Sequence, residues 1–274
     1  MTLDWSSLRS DSDLRRLIKG AEFEKSLKRI GINSDFVDSV VVFSSLDSRT
    51  TSGLLLRGSF NRKQVIADLK QSGWKEDLLE NNKVYFNGAD CIVPLGRNTL
   101  FAGTRGGALA VFRAQESVRE SIVASPAFKK INDGTSINGK PVRAFLLIPQ
   151  GTLDMADAAL TASSVALSLF QLGGIGQLLK TVNVARGFGL SLDHSQYNSY
   201  PAELSVLMRN EEAAVFVSGS LNTMKAISEL AATDKRDLEE FRALQKMRVD
   251  RRAEVLRLNM EIPATALLPP STAE

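Results

Sequence analysis

Three short stretches carry residue types that could do chemistry. Asp193-His194-Ser195 contains the members of a hydrolytic triad. Neighbours on a strand, however, point to opposite faces and cannot relay a proton in line. The plain reading is a polar strand end leading into a Tyr-containing turn, with His194, the sole imidazole, left as a general base or pH sensor only if a partner is brought to it. Cys91 alternates with Val93 and Leu95, as a small buried apolar residue would. A nucleophilic thiol needs a lowered pKa, and its sequence neighbours supply neither a cation nor a helix start. Gly103-Thr104-Arg105-Gly106-Gly107 lies between a strand and a helix, where backbone amides and the helix dipole can hold an anion. It lacks the Lys-Ser/Thr of a P-loop and the spacing of a dinucleotide fingerprint, so a tight strand-to-helix turn competes with an anion site. A single Arg-Gly-Gly is also far short of the repeats that bind RNA.

One cysteine excludes an internal disulfide, and one histidine excludes the spacings by which structural zinc sites are recognised. No catalytic residue, metal or cofactor is therefore assigned. The thirty-one acidic residues offer many pairs in space, but sequence picks none. Net charge is only +3 despite a pI near 9.0. That is no basic stripe, and it argues against a nucleic-acid partner.

These residues must be positioned by a folded core, which 274 residues at 43% hydrophobic and 24% charged can supply. Residues 10–31 read as a helix, capped by Ser12 or Asp13 and ended by Gly31. Apolar runs 39–47 and 52–60 then form a hairpin signal, with Leu54, Leu56 and Phe60 on one side and Leu55, Arg57 and Ser59 on the other. Residues 61–73 open on an Asn cap and stop at Gly73. Strands over 83–86, 90–95 and 99–103 make a meander, in which Pro94 calls for an unpaired edge or a bulge. A helix follows over 104–123.

Two glycines, Pro, Asn and Asp crowd residues 131–141, which are expected to connect a first module (1–130) to a second (142–263). The second holds a strand at 142–149 and alternating runs 187–194 and 202–209. A helix from Glu211 to about Ala231, a charged helix near 234–247 and a last strand, VLRLNMEIP, complete it. The whole charged run 235–252 reads as a solvated helix face. Residues 264–274, with Pro269 and Pro270, read as a disordered tail. SGLLLRGSF-NRKQVIADLKQ and PAELSVLMR-NEEAAVFVSGSL share an order of strand, Asn and helix. The expected class is α+β: mainly antiparallel sheet covered by helices, with a diverged internal duplication.

Ala158–Leu179 carries no formal charge, long enough to raise the question of a membrane span. Its Ser, Gln and Gly residues and the absence of a flanking Lys/Arg cluster or aromatic belt favour a buried core helix instead. Any side left uncovered, at Leu167, Phe170 and Leu172, is the expected partner surface. A protein partner, a small apolar ligand and a homo-oligomer all stay open at this point.

Several motifs carry a resemblance. Asp4, Leu8 and Arg9 fit the start of Asp-x-x-x-Leu-Arg-x-Ser, with Ser10 one position early; Arg57, Gly58 and Phe60 fit Arg-Gly-x-Phe before a helix; Thr99–Gly103 is a strand ending in Gly before a helix, and Asn210–Ala214 belongs to a final strand–helix unit in which Ala recurs. In this order of elements the chain resembles a loose group of uncharacterised exported bacterial proteins, among them lipoproteins, of acidobacteria, myxobacteria and planctomycetes. The resemblance implies an extracytoplasmic protein without known catalytic residues whose leader has been removed. Residues 1–20 show no apolar signal region themselves, and if Met1 is the native start a cytoplasmic compartment is expected. The functional expectation is a non-catalytic, extracytoplasmic binding or interaction protein that uses a sheet face and its covering helices. The alternatives are an enzyme working through carboxylates or the anion turn, and a structural subunit of an envelope assembly held by helix 155–172 or 211–231.

Overall fold

The computed structural model describes residues 1–17, 20–29, 32–44, 51–116, 125–133, 139–147, 185–196, 198–231 and 246–263. They fall into two compact units, Met1–Ala124 and Ser125–Glu274. Among the described residues, every strand pairing within each unit is antiparallel. Helices accompany both sets of strands, as an α+β chain requires.

The first unit begins with β1 (Thr2–Asp4), α1 (Trp5–Leu8), α2 (Ser12–Leu17) and α3 (Gly20–Arg29). The single helix expected over 10–31 is thus corrected to separate short ones. Acid side chains start the first two: Asp4 accepts from the Ser7 backbone N–H at 3.1 Å ahead of α1 and Asp11 from that of Leu14 at 3.0 Å ahead of α2. Each capping carboxylate satisfies an amide that a helix start leaves without a carbonyl.

Next come β2 (Val37–Ser44), β3 (Ser52–Gly58), α4 (Arg62–Gln71), β4 (Lys75–Leu79), β5 (Asn82–Asn87), β6 (Asp90–Pro94), β7 (Thr99–Thr104) and α5 (Arg105–Glu116). The strand order is β1-β2-β3-β7-β6-β5-β4. Pro94 pairs with Leu100 of β7, whereas the β5 ladder ends at Ile92, so the missing proline N–H costs no ladder bond there. Strand alternation sorts the apolar residues onto two faces. Leu79, Val84, Cys91, Val93 and Phe101 pack with Ala108, Val111 and Phe112 of α5. Opposite them lie Val40, Leu56, Leu100 and Ile92, buried like Leu27 of α3 and Val65 and Leu69 of α4.

In the second unit, α6 (Pro126–Asn132) precedes β8 (Val142–Leu147), β9 (Ala185–Leu192), β10 (Ser199–Met208), α7 (Glu211–Ala231), β11 (Arg248–Arg252) and β12 (Val255–Pro263). The strand order is β11-β12-β10-β9-β8. The division between the units falls upstream of the 131–141 turn region, because Ile131 of α6 is fully buried against Leu207 of β10 and Val255 of β12. The register stacks Leu190, Leu204 and Leu258 in one row, as the alternation of the three runs requires. Residues 248–252 depart from the solvated helix expected over 235–252. Their amides pair with β12 as an edge strand, whose exposed charges guard its free side.

The uncharged segment, with Leu167, Phe170 and Leu172, lies outside the described residues, as do the tail and nearly all of the charged helix. Among the described residues, no helix is long and apolar enough to cross a membrane.

Candidate functional site

The first unit carries a groove of about 730 Å³ on the sheet face that α3 and α4 flank. Its floor is one cross-strand row. Val42 of β2 lies opposite Leu54 of β3, Leu54 opposite Ala102 of β7, and Ala102 opposite Ile92 of β6. Adjacent strands put these side chains side by side on the same face, so a flat apolar strip is a direct consequence of register. Ala102 is the small member, and it deepens the strip at its centre.

Phe23 and Leu27 of α3 form one wall, and Trp74, just after α4, forms the other. Each wall is held by local geometry. The ring of Phe23 meets Trp5 edge-on at 4.7 Å, tying α3 to α1. At the end of α4, Gly73 takes φ +84°. The Gly73 N–H donates to the Lys70 carbonyl at 3.1 Å and the Trp74 N–H to the Leu69 carbonyl at 3.0 Å. This paired closure is what a left-handed glycine after a helix permits, and it delivers Trp74 to the groove. Ser44, Ser52, Asn87 and Asp90 gather at one end and Ser26 and Ser72 stand on the walls, Asp90 being the one charged side chain among the described lining residues. An apolar strip with a few polar groups at one end suits a small apolar ligand with a polar head.

Of the sequence-selected residues, Cys91 and Gly103 line the groove. Thr104 caps α5, its Oγ1 accepting from the Gly107 N–H at 3.1 Å. Gly103 and Gly107 allow close approach to β3: a Cβ on the first would stand 2.5 Å from the Gly53 Cα, and on the second 2.3 Å from the Ser52 carbonyl oxygen. The Arg105 guanidinium lies 5.8 Å from the centre of the Phe86 ring. Gly106 continues the first turn of α5. The structure thus brings Gly103, Thr104 and Gly107 together as a helix-to-sheet joint.

Cys91 is fully buried in the core under α5, and burial pushes its thiol up to about 11 against the weaker pull of Arg105. Asp193 and His194 follow β9, where the His194 backbone N–H donates to Asp193 at 2.9 Å and Lys140 pairs with the same carboxylate. Burial works to raise the Asp193 pKa, but the Lys140 and His194 contacts together outweigh it and hold the group below its usual range. Among the described residues, no group of three His, Cys, Asp or Glu side chains is placed to hold a metal ion.

No family model matches the chain, and no curated protein does. The fold is similar to TP0453 in its crystal forms I and III. Form I aligns with a TM-score of 0.50 over 97% of this chain and 89% of that one, at 13% identity. Form III aligns at 0.50 over 97% and 90%, at 15% identity. At such identities the likeness concerns the fold alone.

Apart from Cys91, Gly103 and Leu54, the groove residues were not singled out by sequence. Phe23, Val42, Leu54, Trp74, Ile92 and Ala102 come from separate elements, and each reads locally as core. Only the Gly73 stop signal, which sets Trp74, was visible in one short segment.

Proposed function

We propose that this chain is a non-catalytic, extracytoplasmic binding protein whose first unit takes a small apolar ligand on its sheet face. The observation that carries the reading is the groove itself: an open strip of Val42, Leu54, Ala102 and Ile92 between Phe23 and Trp74, with Asp90 the one charged side chain among the described lining residues. Its volume of about 730 Å³ lies within the range of sites that enclose most of a small ligand. The extracytoplasmic compartment rests on the resemblance in the order of elements from Asp4 to Ala214. The test is titration with N-phenyl-1-naphthylamine, a neutral dye that brightens in apolar surroundings, followed by displacement with a medium-chain fatty alcohol. Saturable, displaceable binding is expected. A dye signal that neither saturates nor falls on displacement would reject the reading.

A second reading, an assembly subunit, is favoured by α7, which leaves Val215 50% and Phe216 61% exposed on adjacent positions. Large apolar side chains side by side on a helix surface are costly to leave in water. Concentration-dependent association, lost in Phe216→Ser, would support it.

A further inference from the structure

The charge of the first unit's groove sits at one corner. Asp90 stands two residues before Ile92 on β6, so the two side chains share the groove face, about 7 Å apart along the strand. Asn87 lies opposite Asp90 on β5, and Thr104 lies opposite it on β7. Trp74 comes to the same end, because it precedes Lys75, which lies opposite Phe86, the neighbour of Asn87. The strip from Val42 to Ile92 crosses four strands, a reach of about 14 Å. Its Ile92 end meets the corner that Trp74, Asn87 and Asp90 make.

The Asp90 carboxylate is exposed, and among the described residues it has neither an ion pair nor a hydrogen bond. Lys83, which shares this sheet face by alternation, does not line the groove and pairs, like Lys70, with Glu76. Arg105 lies over Phe86, which packs on the opposite face with the residues of α5. The groove therefore presents an apolar strip with a single negative charge at one end, the end that also holds an indole. A carboxylate attracts a cation, and a tryptophan ring adds to that attraction. A fatty-acid anion would meet repulsion at the same corner.

We propose that the ligand of this groove is a cationic amphiphile, an alkyl tail of medium length ending in an ammonium group. The inference rests on the reading of the groove as an apolar-ligand site, and it names the head group. The tail lies along Val42, Leu54, Ala102 and Ile92, and the ammonium group stands at the corner of Asp90 and Trp74. The protein carries a net charge of +3, so its general field repels a cation and cannot by itself produce such a preference.

Displacement of bound N-phenyl-1-naphthylamine by decyltrimethylammonium, decanol and decanoate, each below its micelle-forming concentration, tests this. The three share one tail and differ in head charge, so their ratios isolate the corner. An exposed ion pair is worth only a few-fold in affinity, and the ammonium is expected to bind at least about threefold more tightly than the alcohol. Against the carboxylate, which Asp90 repels, the margin is expected to reach at least about tenfold. In Asp90→Asn, an isosteric change at an exposed position, the preference for the ammonium over the alcohol shrinks below about twofold. In Asp90→Lys the carboxylate binds more tightly than the ammonium. Displacement by the alcohol with no preference for the ammonium, a preference undiminished in Asp90→Asn, or one retained in Asp90→Lys would overturn the cationic ligand and leave the apolar groove standing. Dye binding that does not saturate, or that none of the three displaces, would overturn both.

Discussion

Ser52 and Thr104 are bonded in both directions. The Ser52 N–H donates to Thr104 Oγ1 at 3.2 Å, and Thr104 Oγ1 donates to the Ser52 carbonyl at 3.1 Å. The same hydroxyl accepts from the Gly107 N–H, so one side chain closes the β3–β7 ladder and starts α5. Thr104→Val keeps the shape and removes all three bonds. It is expected to cost about 1–3 kcal/mol, the sum of a lost cap and backbone groups left without partners. Urea denaturation measures it, and a loss below about 0.5 kcal/mol would show that the hydroxyl does not organise the joint.

Gly107→Ala tests the other half of that joint. The added methyl would stand 2.3 Å from the Ser52 carbonyl oxygen, which belongs to the backbone and cannot swing aside. Helix propensity alone would make the substitution stabilising. Here destabilisation of about 1–3 kcal/mol is expected instead, because α5 must lift from β3. The sign of the change in thermal midpoint decides between the two effects.

Lys70 and Lys83 grip Glu76 from both sides, with Nζ to carboxylate distances of 2.8 and 2.9 Å. Together they hold the Glu76 carboxyl at about 2. Its folded value lies below the ordinary unfolded one of about 4.3, so the contribution to stability is present above that pH and is lost as pH falls toward 2. The group is exposed, and salt screens the pair. A carboxyl carbon shift followed by NMR should show the low midpoint, and Lys70→Met should move it upward. A midpoint near 4 in the native chain would refute the double pairing.

Cys91 is expected to resist thiol reagents. Burial lifts its pKa to about 11, and the side chain is fully covered, so neither thiolate nor access is supplied near neutral pH. Ellman's reagent should react with the native chain only at the rate of opening and at once with the chain in urea. Fast native labelling would mean that the α5 face of the sheet opens readily.

The elements legible in sequence are those whose signals are local. Asn61 was readable as a cap, and its Oδ1 accepts from the Gln64 N–H at 3.2 Å; Asn210 does the same for Ala213 at 2.9 Å. Gly73 was readable as a stop, and the apolar alternation of β10 and β12 was readable within each run, though that Leu204 lies beside Leu258 was not. Strands β4 and β11 escaped notice because KEDLL and RVDRR sit at sheet edges, where one side meets solvent and the apolar alternation that betrays a strand is not required. Binding surfaces were hidden for a further reason. The row Val42, Leu54, Ala102 and Ile92 exists only once four strands are in register, and no window of sequence contains it.

Ala102 offers the sharpest test of the groove. It is half-buried at the centre of the strip, flanked by Leu54 and Ile92, and a larger apolar side chain there would occupy the space without adding a polar group. Ala102→Leu is expected to weaken naphthylamine binding at least about tenfold while changing stability by less than about 1 kcal/mol. The chain has two tryptophans, of which Trp5 is fully buried and Trp74 lines the groove. Binding should therefore change the Trp74 emission in the parent chain, leave the Ala102→Leu variant nearly silent, and vanish from the tryptophan signal in Trp74→Phe. Unchanged dye affinity in Ala102→Leu would move the ligand away from this face, since no molecule resting on the strip can avoid its centre.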